Sequence, residues 1–152
     1  MDSNIVFPFD YIISDNESAY AVFTARAMCS RTYSQYDIVL FDFPITNIGN
    51  NYNTHTSNFV CPFLGIYTFS VSFYARQSGE LHLDIMQDNL FIIRGFVDES
   101  SLVSNSVHAV VIECNAGQAV WVRCVSDNGH ILGDEIQSHF TGFLLHRFSE
   151  LY

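Results

Sequence analysis

Residues 65–74 read GIYTFSVSFY, with large and small side chains alternating. Tyr67, Phe69, Val71 and Phe73 fall on one face; Thr68, Ser70 and Ser72 fall on the other. An extended chain sends successive side chains to opposite sides, so this period of two predicts a β-strand with one face in a core. Its small, hydroxyl-bearing face leaves room for a second surface to come close. LHLDIM repeats the pattern, with Leu81, Leu83 and Ile85 inward and His82 and Asp84 outward. AVWVRCV places Val120, Val122 and Cys124 opposite Trp121 and Arg123. AVFTARA, DIVLFDF, LFIIRGFV, VHAVVIEC and HFTGFLLHRF complete at least eight strands, and helical periodicity is almost lacking. VHAVVIEC and FTGFLLH are apolar on both faces, where a sandwich strand exposed on one side should not be.

Turn chemistry separates these runs at the short intervals typical of a sandwich or jelly roll. Gln87-Asp88-Asn89 and Asn115-Ala116-Gly117-Gln118 read as tight turns; CSRTYSQ, DESSLVSNS and SDNGHILGDEIQS read as longer polar loops. The stretch Ile45 to Asn53, ITNIGNNYN, carries four Asn and one Gly in nine residues. A hairpin needs only two such residues, so the excess predicts a long, shaped connection at one end of the sandwich.

Composition adds the question of assembly. Charged residues are 14% of the 152-residue chain, against about 25% in typical soluble domains, while hydrophobic residues reach 49%. One domain of this size has too few charges to cover its surface, so apolar sheet is expected to be buried against further copies. Six basic residues against sixteen acidic ones argue against nucleic acid or an anionic membrane as the main partner. No apolar run approaches the roughly 18 to 20 residues of a membrane-spanning helix, and the N-terminus is a poor secretory leader: it has no basic start, and Asp10 interrupts its apolar part. Residues 1–19 read as an arm, 20–148 as the globular domain and 149–152 as a tail.

Chemistry-bearing motifs are sparse. No nucleophile elbow, phosphate-cradling glycine loop, HExxH segment or CxxC spacing occurs, so an enzyme ranks last among the readings. Cys29, Cys61, Cys114 and Cys124 allow three pairings; Cys61 reads as a small buried apolar residue, and a bridge from Cys114 to Cys124 would be out of register across the turn between them. Arg94 is a candidate contact for an anionic ligand or one half of a rim salt bridge. Arg123 either forms an exposed recognition anchor with Trp121 or covers the indole face. The loop SDNGHILGDE offers Asp127, His130 and Asp134 as further ligand-binding candidates, with an ordinary solvated turn as the competing reading.

Phe41, Asn47, Tyr52, Phe59, Gly65, Tyr67 and Phe69 stand at the spacing of the signature of the complement C1q globular-domain family, with Val71 at a position usually aromatic. Around them AVFTAR, IVLFDFPITNIGNNYN, LHLDIM, SNSVHAVVIECNAGQAVWVR and FTGFLL resemble the family's successive blocks, covering about Tyr20 to His146. The resemblance implies an all-β, ten-stranded jelly roll of the C1q/TNF-like type, assembled as a homotrimer. Residues 45–58 would then connect the two sheets, and Thr68, Ser70 and Ser72 would face the threefold axis. No Gly-X-Y stalk is present, so a head-only member or an excised head is expected. Some relatives bind calcium near the axis. Asp98 lies close to such a position, with Ser101 near the place of a second usual Asp, against a plain acidic loop as the other reading. The implied role is that of an extracellular, secreted recognition protein, either an innate immune receptor for microbial polysaccharide or lipopolysaccharide, or a cytokine-like or organiser-type ligand for a cell-surface protein.

Overall fold

The computed structural model describes residues 20–77, 80–97, 100–134 and 137–149. Among these residues the chain forms twelve strands and no helix: β1 (Val22–Arg26), β2 (Arg31–Tyr33), β3 (Phe43–Ile48), β4 (Tyr52–Asn53), β5 (Asn58–Val60), β6 (Gly65–Gln77), β7 (Leu81–Gln87), β8 (Leu90–Val97), β9 (Ser100–Cys114), β10 (Ala119–Cys124), β11 (Gly129–Ile131) and β12 (His139–Arg147). The count exceeds the expected ten because pieces as short as two or three residues, such as β2, β4 and β11, form ladders of their own. Seven strands make one antiparallel sheet in the order β2-β11-β6-β12-β1-β3, with β9 on the other side of β6; five make the second, β4-β5-β10-β7-β8. This is the jelly-roll sandwich the strand pattern predicts.

The core lies between the sheets and is largely aromatic. Phe23 of β1 stacks on Tyr52 at 4.4 Å and on Phe59 at 5.1 Å, and meets the edge of Phe140 at 4.9 Å. Tyr67, Phe69, Val71 and Phe73 of β6 are all buried, as their alternation requires. So many rings leave no room at Gly142 of β12. A Cβ there would fall 2.4 Å from Phe69 and 2.6 Å from Phe23.

Several segments depart from the sequence reading, among them CSRTYSQ, read as loop, which contains β2. Residues 37–43, expected as a strand, instead cross from one sheet to the other. Ile38 makes a single bridge to Arg123 and Val39 N donates to Val122 O. Beyond that point, side chains satisfy the backbone: Leu40 N donates to the Tyr33 hydroxyl and Phe41 N to Ser57 Oγ, while the Tyr52 hydroxyl donates to Phe41 O at 2.7 Å. The strand appears later, as β3, an edge strand that can hold Pro44 because its outer side needs no ladder. Much of the Asn-rich connection is therefore strand, and the turn narrows to Gly49, Asn50 and Asn51, where Gly49 (φ 88°) and Asn50 (φ 56°) are left-handed. Serine-rich residues 100–106, read as loop, extend β9 to fifteen residues, because a ladder to β6 serves polar residues as well as apolar ones. Finally, the loop after β10 contains β11, whose Ile131 is buried in the core.

Candidate functional site

The outer face of the five-stranded sheet gathers the two arginines singled out from sequence. β7 lies between β10 and β8, and the register sets Arg123 opposite Asp84 and Asp84 opposite Arg94. Arg94 grips the carboxylate with both ends of its fork, Nε to Oδ1 at 2.7 Å and Nη2 to Oδ2 at 3.0 Å. Arg123 Nη2 reaches Oδ2 at 2.7 Å. Asp84 does point outward, as its alternation predicts, yet it is 0% exposed because the two guanidiniums cover it. Burial alone would raise its pKa. The hydrogen bonds and charges of Arg94 and Arg123 outweigh burial and hold it below the usual carboxylate range.

Aromatic rings extend this row at both ends. The Arg94 guanidinium lies 5.4 Å from the Phe91 ring centre, and that of Arg123 lies 5.1 Å from Tyr36. The ring that meets Arg123 is thus Tyr36 of the crossing segment, whereas Trp121 donates its indole N–H to Asp88 O. Tyr36 adopts a left-handed φ of 68°, a strained conformation for a bulky residue, held by a 2.7 Å bond from its N–H to Cys124 O. Beside the row, His82 stacks on Phe96, its cross-strand neighbour, at 5.8 Å. Tyr36, Phe91 and Phe96 are all exposed. Two cations share one carboxylate, so the row keeps a net positive charge, and Arg123 Nε is buried without a partner among the described residues. Arg94, 42% exposed, keeps guanidinium N–H groups that an outside carboxylate, phosphate or carbonyl oxygen can reach.

The remaining candidates stand apart from that row. His130 sits on β11 in the seven-stranded sheet, where its Nδ1 lies 2.9 Å from Thr32 Oγ1. Asp127 accepts a bond from Asn128 N, and Asp134 is exposed in a left-handed turn. Asp98, the calcium candidate, lies outside the described residues. Among the described residues no three His, Cys, Asp or Glu side chains come together to hold a metal ion. All four cysteines are free thiols, with Cys61, Cys114 and Cys124 buried. Sequence reading set Asp84 outward beside His82 without its place between the arginines, and it missed Tyr36. That place could have been found by asking which outward acid might lie between two outward arginines, but Tyr36 depends on a chain path that no periodicity encodes.

The outer face of the seven-stranded sheet is different in kind. Thr68, Ser70 and Ser72 of β6 lie opposite Val111, Ala109 and Val107 of β9 on one side, and opposite Phe143, Thr141 and His139 of β12 on the other. Val107 and Val111 are 61% and 60% exposed, and Phe143 and Leu145 are exposed as well. The result is a flat apolar face with a floor of small hydroxyl residues. Among the described residues no helix is long and apolar enough to cross a membrane.

Known proteins resemble this chain over most of its length. It is 27% identical to a complement C1q subcomponent of Rattus norvegicus over 125 residues, which are 82% of this chain and 50% of that protein. It is 32% identical to multimerin-1 of Mus musculus over 120 residues, 72% of this chain and 9% of that protein. The chain thus spans half or less of the length of these curated relatives. Among solved structures, the globular domain of zebrafish complement 1qA matches with a TM-score of 0.71 at 16% identity, covering 84% of this chain and 99% of that one. Eiger TNF from S. frugiperda matches with a TM-score of 0.72 at 15% identity, covering 86% and 94%. Both structures share the jelly-roll fold described above. The family model described as "C1q domain" matches residues 6–145, nearly the whole chain, and the chain belongs to that family.

Proposed function

We propose that the chain is an extracellular recognition subunit that assembles as a homotrimer and binds microbial polysaccharide or lipopolysaccharide through several weak sites at once. The observation that supports this reading is the apolar outer face of the seven-stranded sheet. Val107, Val111, Phe143 and Leu145 stand exposed around small Ser70, Ala109 and Thr141, on a chain with few charges to mask them. Monomeric proteins rarely leave such a patch uncovered, and three copies turned about a common axis would cover it. Linked weak sites bind a repeating surface about 10² to 10⁴ times more tightly than one site does.

Sedimentation velocity at low micromolar concentration tests the assembly. The expected species has three times the 17.3 kDa mass of the chain, and Ser70→Trp, which puts a large ring into the small floor, should release the single chain. A stable wild-type monomer would overturn the reading. Binding to a glycan array, with competition by soluble sugar, tests the ligand class.

The row Tyr36–Arg123–Asp84–Arg94–Phe91 favours a second reading, a signalling ligand for a cell-surface protein. Exposed aromatic rings beside arginine are the residue types that dominate protein–protein hot spots. Silence across the glycan array, together with capture of a cell-surface protein that is lost on replacing Tyr36 and Phe91 by Ala, would establish this alternative.

A further inference from the structure

We propose that the asparagine-lined cleft between β3 and β4 is a saccharide site, and that it takes a short segment of uncharged polysaccharide. This rests on the recognition reading above and gives that reading a place and a ligand charge.

β3 and β4 end their respective sheets on the same side of the sandwich, away from β8 and β9. Between them opens a cleft of about 530 Å³, well within the range of small-molecule sites. Asn47, Asn50, Asn51 and Asn53 line it, with Thr54. Pro44 and Val60 provide apolar wall on which the C–H face of a sugar ring can rest. Among the described residues, none of those lining the cleft carries a charge.

That lining has a specific chemical meaning. A sugar hydroxyl both donates and accepts. A primary amide offers two donors and an acceptor on one planar head, whereas a carboxylate only accepts and a guanidinium only donates. Several amides in one concavity therefore suit a polyhydroxylated neutral ligand. They offer an anion no countercharge, on a chain of net charge −10.

Two of the amides, those of Asn47 and Asn53, are also held in place before any ligand arrives. Asn47 positions the loop: its Nδ2 donates to Tyr52 O at 2.9 Å and its Oδ1 accepts from Tyr52 N at 3.2 Å. Gly49 lets the Asn51 amide lie against the backbone, since a Cβ at Gly49 would fall 2.6 Å from Asn51 Nδ2. Asn51 O in turn accepts from Val60 N at 2.9 Å. Asn53 Oδ1 accepts from the backbone N–H groups of His55 at 2.9 Å and Thr56 at 3.2 Å, which fixes the head and leaves its NH₂ to donate. The side-chain donors of Asn51, Asn53 and Thr54 have no partner among the described residues. The cleft lies on the edge away from β9, so covering the β6–β9–β12 face does not by itself close it, and on this proposal each copy in an assembly presents one.

The test uses the full chain on surfaces of mannan, laminarin and heparin, comparing wild type with the double variant Asn51→Ala, Asn53→Asp. Aspartate at 53 keeps the acceptor that His55 and Thr56 require but removes the amide donors. Melting temperature and sedimentation check that the variant keeps its fold and assembly. The proposal expects retention of wild type on mannan or laminarin, and a loss of about tenfold or more in the variant, as removal of two neutral hydrogen bonds produces. On isotope-labelled wild type, titration with laminarihexaose should also move the side-chain NH₂ signals of Asn51 and Asn53, a readout that needs no variant. Equal retention of variant and wild type on mannan or laminarin, with unmoved Asn51 and Asn53 signals, overturns the cleft assignment and leaves the recognition reading standing. Retention on heparin alone overturns the uncharged ligand. Retention on none of the three, with a silent glycan array, overturns both the site and the glycan reading.

Discussion

Asp84→Asn removes one charge from the row that ties β10, β7 and β8 together. The carboxylate is fully buried and accepts three guanidinium bonds of 2.7 to 3.0 Å. At roughly 4 Å between charge centres and an effective dielectric of about 20, each Arg–Asp attraction is about 4 kcal/mol, much of it offset by the cost of desolvating the ions. Asparagine keeps the shape but turns an amide donor toward groups that are themselves donors. Deleting one partner of a buried pair costs about 3 to 5 kcal/mol. Arg94 is 42% exposed and can rehydrate, so the lower end applies, about 3 kcal/mol. A domain of this size loses about 2 to 4 °C per kcal/mol, which places the fall in melting temperature at about 6 to 12 °C at pH 7. The acid limb provides a second check. Because the folded pKa of Asp84 lies below its unfolded value, its contribution is present above the unfolded pKa of about 3.9 and disappears as pH falls through the folded value. The gap between wild type and variant should therefore close in strong acid. Calorimetry at one fixed protein concentration measures both quantities. A variant that melts within about 1 °C of wild type at pH 7, or a gap that persists unchanged in acid, would refute this account of the row.

Three further outcomes follow from the core and its margins. Tyr52→Phe leaves the buried carbonyl of Phe41 without its 2.7 Å donor and should cost about 1 to 2 kcal/mol, read as a lower denaturant midpoint at unchanged slope. Gly142→Ala forces a methyl group against Phe69 and Phe23 and should cost about 1 to 3 kcal/mol in the same assay. Burial lowers the pKa of His108, so the unfolded chain binds that proton more readily; stability should decline as pH falls through about 6.5 toward the folded value, and His108→Gln should flatten that part of the curve.

The strands that carry the core were legible because burial on one side imposes a period of two. β6 and β10 follow it residue by residue, whereas in β7 the alternation holds only to Leu83, beyond which Asp84, Met86 and Gln87 are buried as well. Where burial and hydrogen bonding come apart, the pattern misleads. Val39 and Phe41 are buried and alternate like strand residues, yet beyond Val39 tyrosine and serine side chains, not a ladder, satisfy the backbone of Leu40 and Phe41. Conversely, Asn47 has turn chemistry but lies in β3, paired with Phe23 of β1, while its amide fork holds Tyr52 at the start of the other sheet. Residues 100–106 look like loop because a ladder asks nothing of serine side chains. The arginines were visible as chemistry, but their shared carboxylate was not. A sequence shows which residues point outward along one strand, whereas only the register shows which of them stand opposite each other across three.

β9 runs fifteen residues and has β6 as its sheet partner, with no strand on its other side among the described residues. Such a rim is a template for any extended chain that reaches it first. In the proposed homotrimer, a freshly made subunit would face a race between the copies it pairs with and chance neighbours. Its yield from a cell should be governed by the rate of correct encounters rather than by how tightly the finished sandwich is packed.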